Sequence, residues 1–298
     1  MRMDFGSLIT AMVTPFDATG ALDEGRLRRL VDHLIETGTT AVVVCGTTGE
    51  SPTLSHAEKL RLFDATLRAV DGRIPVIAGT GTNSTKDSIE LTLEAARLGV
   101  QAVMLVTPYY NRPSQEGLYM HFASIAESTT LPVMLYNVPG RTGVNLNPQT
   151  ALQLAAIPNV VALKEASGDF SQILRIAAEK PDDFLLYSGD DKFTLPMLAI
   201  GAAGVVSVAG HVVGRQIRTM MDLFWQGQVD EAAYWSARLL PIFEAMFMEA
   251  SPAPVKEALS ILGIDVGSVR SPLVPASKAL REHLYTLLNA LGVIEPSA

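Results

Sequence analysis

Eight short apolar runs alternate with longer amphipathic stretches along the first 210 residues of the 298-residue chain, and this alternation limits the fold more than any other feature. The runs are SLITAMV (7–13), TAVVVC (40–45), IPVIAGT (74–80), AVMLVT (102–107), PVMLYN (132–137), VVALKE (160–165), FLLYSG (184–189) and GVVSVAG (204–210). Each has the length of a strand and is rich in Val, Ile, Leu and Ala. Runs that are apolar throughout, and not only at every second residue, suit parallel strands covered on both faces. Between them, LDEGRLRRLVDHLIETG closes on Gly38, a helix stop. LSHAEKLRLFDATLRAVDG opens with Ser55 three residues before Glu58, the pattern of a reciprocal N-terminal cap. STKDSIELTLEAARLGV and SQEGLYMHFASIAEST follow the same plan. Strand–helix repeats of roughly 20 to 35 residues are βαβ units. Eight of them in one chain predict the α/β class and a closed (β/α)8 TIM barrel, not an open sheet.

From about residue 226 the strand signal stops, and the pattern predicts helices over 229–249, about 253–262 and about 277–290. EASPAPVKEAL is a proline-punctuated link between the first two. The expected organisation is therefore a barrel with the active site in residues 1–225 and a C-terminal helical domain in residues 226–298.

Charge and cysteine content remove several function classes. The net charge is −8 and no Lys/Arg-rich run occurs, which argues against a nucleic-acid partner. Cys45 is the single cysteine, so no intramolecular disulfide forms, as fits a reducing compartment. The N-terminal MRMDFGSLIT lacks an apolar signal core, and no stretch reaches the roughly 18 to 20 apolar residues of a membrane helix. A cytoplasmic protein without membrane contact is expected. The five histidines, His33, His56, His121, His211 and His283, show no H-E-x-x-H spacing, and Cys45 has no cysteine partner, so no metal site is expected. GTGTNS (79–84) carries Ser84 where a dinucleotide loop has its third glycine.

In a barrel of this kind the chemistry sits where strands end. Run six ends on Lys164, followed by Glu165, Ser167, Gly168 and Asp169. A lysine near the mouth of an apolar barrel has its charged form disfavoured, and a neutral amine attacks a ketone to form a Schiff base. The alternative is a lysine snorkelling to solvent. Run five ends in YNVPGRTG (136–143). Tyr136 either relays protons one strand from the amine or packs as a rim aromatic. Arg141, between Gly140 and Gly143, either holds a carboxylate bidentately or is a surface arginine. GTTGE (46–50) offers two hydroxyls and backbone N–H groups suited to a small anion, or is a polar turn. TPYYNRP (107–113) presents adjacent Tyr109 and Tyr110, aromatics of the kind that mark interfaces, and run seven ends in SGDD (188–191).

Taken jointly, GTTGE, YNVPGRTG and KEASGD, with TPYYNRP, SGDD and PAPVKEAL, make the chain resemble the dihydrodipicolinate synthase/N-acetylneuraminate lyase family of class I pyruvate aldolases from about residue 5 to the C-terminus. The resemblance implies that Lys164 captures pyruvate as a Schiff base and that Tyr136 is its general acid/base. It implies a proton relay from Tyr136 through Thr47 to Tyr110, the last contributed across a dimer interface. Thr48 with Thr47 would take the pyruvate carboxylate, Arg141 the carboxylate of the second substrate, and Gly189 and Val206 would line the pocket. An arginine at position 141 points to a carboxylate-bearing aldehyde, L-aspartate β-semialdehyde, and away from a sugar chain. No metal or redox cofactor is implied, because the imine is the electron sink. The partners implied are these two small molecules and further copies of the chain, in a tetramer built as a dimer of dimers.

Ser51, His56, Asn83 and Tyr109 match a lysine-effector site of the family, while Lys59 and Asp87 depart from it. A second cation at Lys59 would repel the effector's ammonium, so weak or absent inhibition is expected in steady-state rates at millimolar L-lysine. Two alternatives stay open. A sibling aldolase acting on a sugar-acid aldehyde, such as one making 2-keto-3-deoxygluconate, would keep Lys164 and Tyr136. A non-catalytic barrel that senses pyruvate-like acids would have no need of a proton relay.

Overall fold

The computed structural model of the chain describes residues 5–294. Eight parallel strands close into a barrel in chain order: β1 (Leu8–Ala11), β2 (Ala41–Val44), β3 (Val76–Gly79), β4 (Ala102–Val106), β5 (Val133–Asn137), β6 (Val160–Glu165), β7 (Leu185–Ser188) and β8 (Gly204–Ser207). β8 pairs back onto β1, with Val206 opposite Ile9. Every strand falls inside one of the eight apolar runs.

Helices cover the outside: α1 (Glu24–Glu36), α2 (His56–Val70), α3 (Thr85–Leu98), α4 (Gln115–Glu127), the single turn α5 (Pro139–Thr142), α6 (Pro148–Ala155), α7 (Phe170–Glu179), α8 (Thr194–Leu198) and α9 (Gly210–Trp225). The start signals act as expected. Ser55 N–H donates to Glu58 Oε2 at 2.8 Å, and Glu58 N–H donates to Ser55 Oγ at 3.2 Å, closing both orphan donors at the head of α2. Beyond the barrel come α10 (Val229–Ala245), α11 (Ala253–Ile261) and α12 (Lys278–Ala290). α10 stops at Ala245, short of the expected 249. The last α-helical bond is from Met246 N–H to Ile242 O at 3.2 Å; Phe247 N–H then bonds Glu244 O at 2.9 Å, a tighter i−3 turn that ends the ladder. α10 packs on α9, and α12 on α10 and α11. Among the described residues no helix is long and apolar enough to cross a membrane.

Strand alternation divides the core into two layers. Ile9, Ala11, Ala41, Val43, Ile77, Met104, Met134, Tyr136, Ala162, Tyr187 and Val206 fill the inside of the barrel. Leu8, Val42, Val44, Val103, Leu105, Leu135, Leu163 and Leu186 face the helices. Between β5 and β6 the register shifts: Val133 pairs with Val160 but Met134 with Ala162, leaving Val161 as an extra residue. After this bulge Ala162 and Lys164 point into the barrel, and Leu163 and Glu165 point out.

Candidate active site

The bulge in β6 brings Lys164 level with Tyr136 of β5 on one side and Tyr187 of β7 on the other. Its Nζ stands 4.0 Å from the centre of the Tyr136 ring, and the residue is only 4% exposed. Burial brings the amine down to about 7; the negative charge of Asp191 opposes that shift and the positive charge of Arg141 adds to it. Burial likewise pushes the Tyr136 phenol up, against the pull of Arg141 and of a hydrogen bond with Thr47. An amine about half of which is neutral near pH 7 thus lies over a protonated phenol.

Glu165, next to Lys164 in sequence, does different work. It faces outward, where its carboxylate accepts from Asn137 Nδ2 at 3.1 Å and from the Ser167 N–H at 2.6 Å, tying the ends of β5 and β6 together. Asp169 caps α7 by accepting from the Ser171 and Gln172 N–H groups.

Two adjoining cavities open at the C-terminal ends of the strands, of about 350 and 270 Å³. Thr47, Tyr136, Val138 and Arg141 line both. The larger holds Lys164, Thr48 and Gly189. The smaller runs past Cys45, Ser51, Met104 and Tyr109. Gly189 is needed where it is: a Cβ there would sit 2.7 Å from Ala166 Cβ and 3.1 Å from Lys164 Cγ. Val206 lies in the barrel interior with Tyr136 and Tyr187, and Val208 is the β8-end residue at the cavity wall. Arg141, on α5, is exposed at the mouth.

Tyr110 is not in this group. It is 89% exposed, with a left-handed backbone (φ 74°), and its N–H donates to Thr142 O at 3.3 Å. Of the six residues expected at an effector site, two reach the smaller cavity. Ser51 and Tyr109 line it. Asn83 O accepts from Asn111 Nδ2, beside Tyr109 and Tyr110. The His56 ring is paired with Glu94 at 2.5 Å. Lys59 is partly buried, and burial lowers its pKa. Asp87 lies exposed in the first turn of α3.

Two contributions were not foreseen. Asp191 is buried and accepts from Ser207 Oγ and from the N–H groups of Val208 (3.0 Å) and Ala209 (2.9 Å). It pins the turn after β8 and places a negative charge near Lys164; the paired acids of SGDD at a strand end were its only sequence signal. Phe243, Glu244 and Phe247, from the end of α10 and just beyond, wall the larger cavity. Nothing in their local pattern separates them from ordinary helix residues. Among the described residues no group of three or more His, Cys, Asp or Glu side chains is placed to hold a metal ion.

The dihydrodipicolinate synthetase family matches the chain over residues 4–291. Among curated relatives, the 4-hydroxy-tetrahydrodipicolinate synthase of Bacillus velezensis is 56% identical over 289 residues, covering 97% of this chain and 100% of its own. The crystal structure of dihydrodipicolinate synthase DapA-2 from Bacillus anthracis aligns with a TM-score of 0.95 at 51% identity, covering 97% of this chain and 99% of its own. The dihydrodipicolinate synthase of Cyanidioschyzon merolae, crystallised with lysine bound, aligns with a TM-score of 0.95 at 46% identity over 97% of this chain and 99% of its own.

Proposed function

The chain belongs to the dihydrodipicolinate synthetase family, and on that premise we propose that it is a lyase joining pyruvate to L-aspartate β-semialdehyde through a Schiff base on Lys164, giving 4-hydroxy-tetrahydrodipicolinate. The observation that carries this is the buried Lys164 amine, brought down to about 7 and set 4.0 Å from the Tyr136 ring.

Neutral Lys164 attacks C2 of pyruvate, and the carbinolamine loses water to form the imine. The imine draws electrons from the methyl group, which gives up a proton and leaves an enamine. The enamine carbon attacks the aldehyde of the second substrate, and the new alkoxide takes a proton. The amine of that substrate then adds to C2 and expels Lys164, closing the ring and regenerating the catalyst. Each proton transfer needs a group of changeable protonation beside C2, and Tyr136, hydrogen-bonded to Thr47, is the group in reach. Thr47 and Thr48 hold the pyruvate carboxylate, Gly189 and Val208 shape its pocket at the wall with Val206 in the barrel interior, and Arg141 at the mouth takes the carboxylate of the aldehyde. Tyr110 is exposed and lines neither cavity of its own chain, which supports its serving the relay of a second copy in a dimer, and two such dimers make the tetramer. The helical domain expected over residues 226–298, whose last four positions lie outside the described residues, supplies one wall of the site through Phe243, Glu244 and Phe247. The work is done in the cytoplasm, as suits an enzyme of lysine and diaminopimelate biosynthesis.

Borohydride reduction in the presence of pyruvate, followed by peptide mass spectrometry, is expected to place a covalent adduct on Lys164. A condensation assay with aspartate semialdehyde is expected to show turnover that Arg141→Ala depresses mainly through the KM of that substrate. An adduct with turnover of glyceraldehyde but not of the semialdehyde would assign a sibling aldolase. Tight pyruvate binding without any adduct would leave only a sensor.

A further inference from the structure

Two sequence motifs have parts that the chemistry leaves unused: the glutamate of GTTGE and the lysine of PAPVKEAL. The fold brings them together. Glu50 Oε1 lies 2.7 Å from Lys256 Nζ, with the two side chains 0% and 4% exposed. Glu50 Oε2 accepts the Arg270 N–H at 2.8 Å, and Lys256 also donates to Ser268 O at 2.8 Å. The Arg270 guanidinium, stacked 4.3 Å from the Phe16 ring, donates to Glu58, Gly20 O and Thr53 O. The cation of α11 and the segment that follows it are thus fastened to the loop between β2 and α2.

That loop is under conformational constraint. Cys45 (φ 57°) and Glu50 (φ 55°, ψ 34°) bracket Gly46–Gly49, and both take the left-handed backbone that non-glycine residues avoid unless their surroundings impose it. Glu50 N–H donates to Thr47 O at 3.1 Å, so the orientation of Glu50 is handed directly to Thr47. Neither Glu50 nor Lys256 lines the cavity that holds Lys164. A buried ion pair is a poor source of net stability compared with an apolar pair of the same shape, and its best-attested use is to specify one arrangement over others.

We propose that the Glu50–Lys256 ion pair is a positioning device: it locks the 46–50 turn in its left-handed exit, so that the C-terminal helical part sets the pyruvate-carboxylate site made by Thr47 and Thr48. The inference rests on the functional assignment above. Because Arg141 stands on a different loop, after β5, the effect is confined to one of the two substrates.

The test is steady-state kinetics on the full chain, with both substrates varied. Lys256→Met is expected to raise the pyruvate KM about tenfold or more and to leave the KM of the semialdehyde within about threefold of wild type. Lys256→Arg, which keeps a cation for Glu50, is expected to recover most of the pyruvate KM. Circular dichroism establishes that each variant is folded; should Lys256→Met fail to fold, Glu50→Gln, which removes the charge but keeps the side-chain shape, is scored by the same criterion. Equal changes in both KM values, or a loss of kcat with both unchanged, would overturn the inference. A pyruvate KM shifted equally in Lys256→Met and Lys256→Arg would overturn it as well. Borohydride trapping on wild type separates the two levels: no adduct on Lys164 removes the functional assignment and this inference with it, whereas an adduct with an unsplit KM removes the inference alone.

Discussion

At the scale of the residue, one ionisation controls the site. With the Lys164 amine at about 7, the neutral fraction falls about tenfold for each pH unit below that value and saturates above it. The rate of adduct formation with pyruvate, measured by quenched borohydride trapping across pH 5 to 9, is expected to follow that curve; a flat profile, or a midpoint near the ordinary lysine value of about 10.4, would count against a desolvated nucleophile. The same shift costs stability. The folded-state pKa lies below that of the unfolded chain, so the unfolded state binds more protons between them. The cost is therefore full below about pH 7 and is relieved as the pH rises toward 10, by up to about 1.4 kcal/mol per unit. Lys164→Met is expected to raise the Tm at neutral pH, to flatten this pH dependence and to abolish the adduct, a trade of function for stability readable by thermal melts at three pH values. The sequence placed a lysine at the end of an apolar run, which was enough to raise a Schiff base as one of two readings. It also offered Tyr136 as a group one strand away, but it did not contain the Asp191 charge or the exclusion of solvent, which come from what packs around the amine.

At the scale of the element, strands were the legible part, because a buried parallel strand is apolar along its whole length and announces itself whatever its neighbours do. For the same reason it hides its facing. VVALKE gives no sign of which residues point inward, and the bulge at Val161 decides it: one residue of slip would exchange the inward positions of β6 for the outward ones and turn Lys164 into the helical layer. β7 supplies a second check on this geometry through Gly189. Gly189→Ala would press a methyl group against Ala166 and the Lys164 stem. Overpacking of this kind costs about 1–3 kcal/mol, so the variant is expected to fold while kcat falls about tenfold or more; unaltered turnover would mean that the lysine tolerates displacement. Helix starts were readable from Ser55 and Glu58, since a cap is a local hydrogen-bond exchange. The end of α10 and its contribution of Phe243 and Phe247 to the cavity wall were not, since they depend on where the chain after the barrel folds back.

At the scale of the whole molecule, the exposed Tyr110 and the open cavity beside Tyr136 belong to one proposal about assembly. If a second copy completes the relay, specific activity is expected to fall as the protein is diluted below its dimer dissociation constant, with sedimentation velocity reporting monomer over the same range and Tyr110→Phe slowing turnover without changing the sedimentation profile. Undiminished activity of a demonstrated monomer would sink it. The amino-acid sequence by itself determined the barrel, its eight strands, a few of the helix caps and the residue types at the strand ends, because each of these follows from local periodicity, local hydrogen bonding or the length of an apolar run. Only the tertiary structure decided which side of β6 carries the amine, that Asp191 lies buried close enough to act on it, and that Glu50 and Lys256, 206 residues apart, meet as an ion pair. Burial and electrostatic coupling depend on what surrounds a side chain from every direction, and a sequence lists neighbours in one direction only.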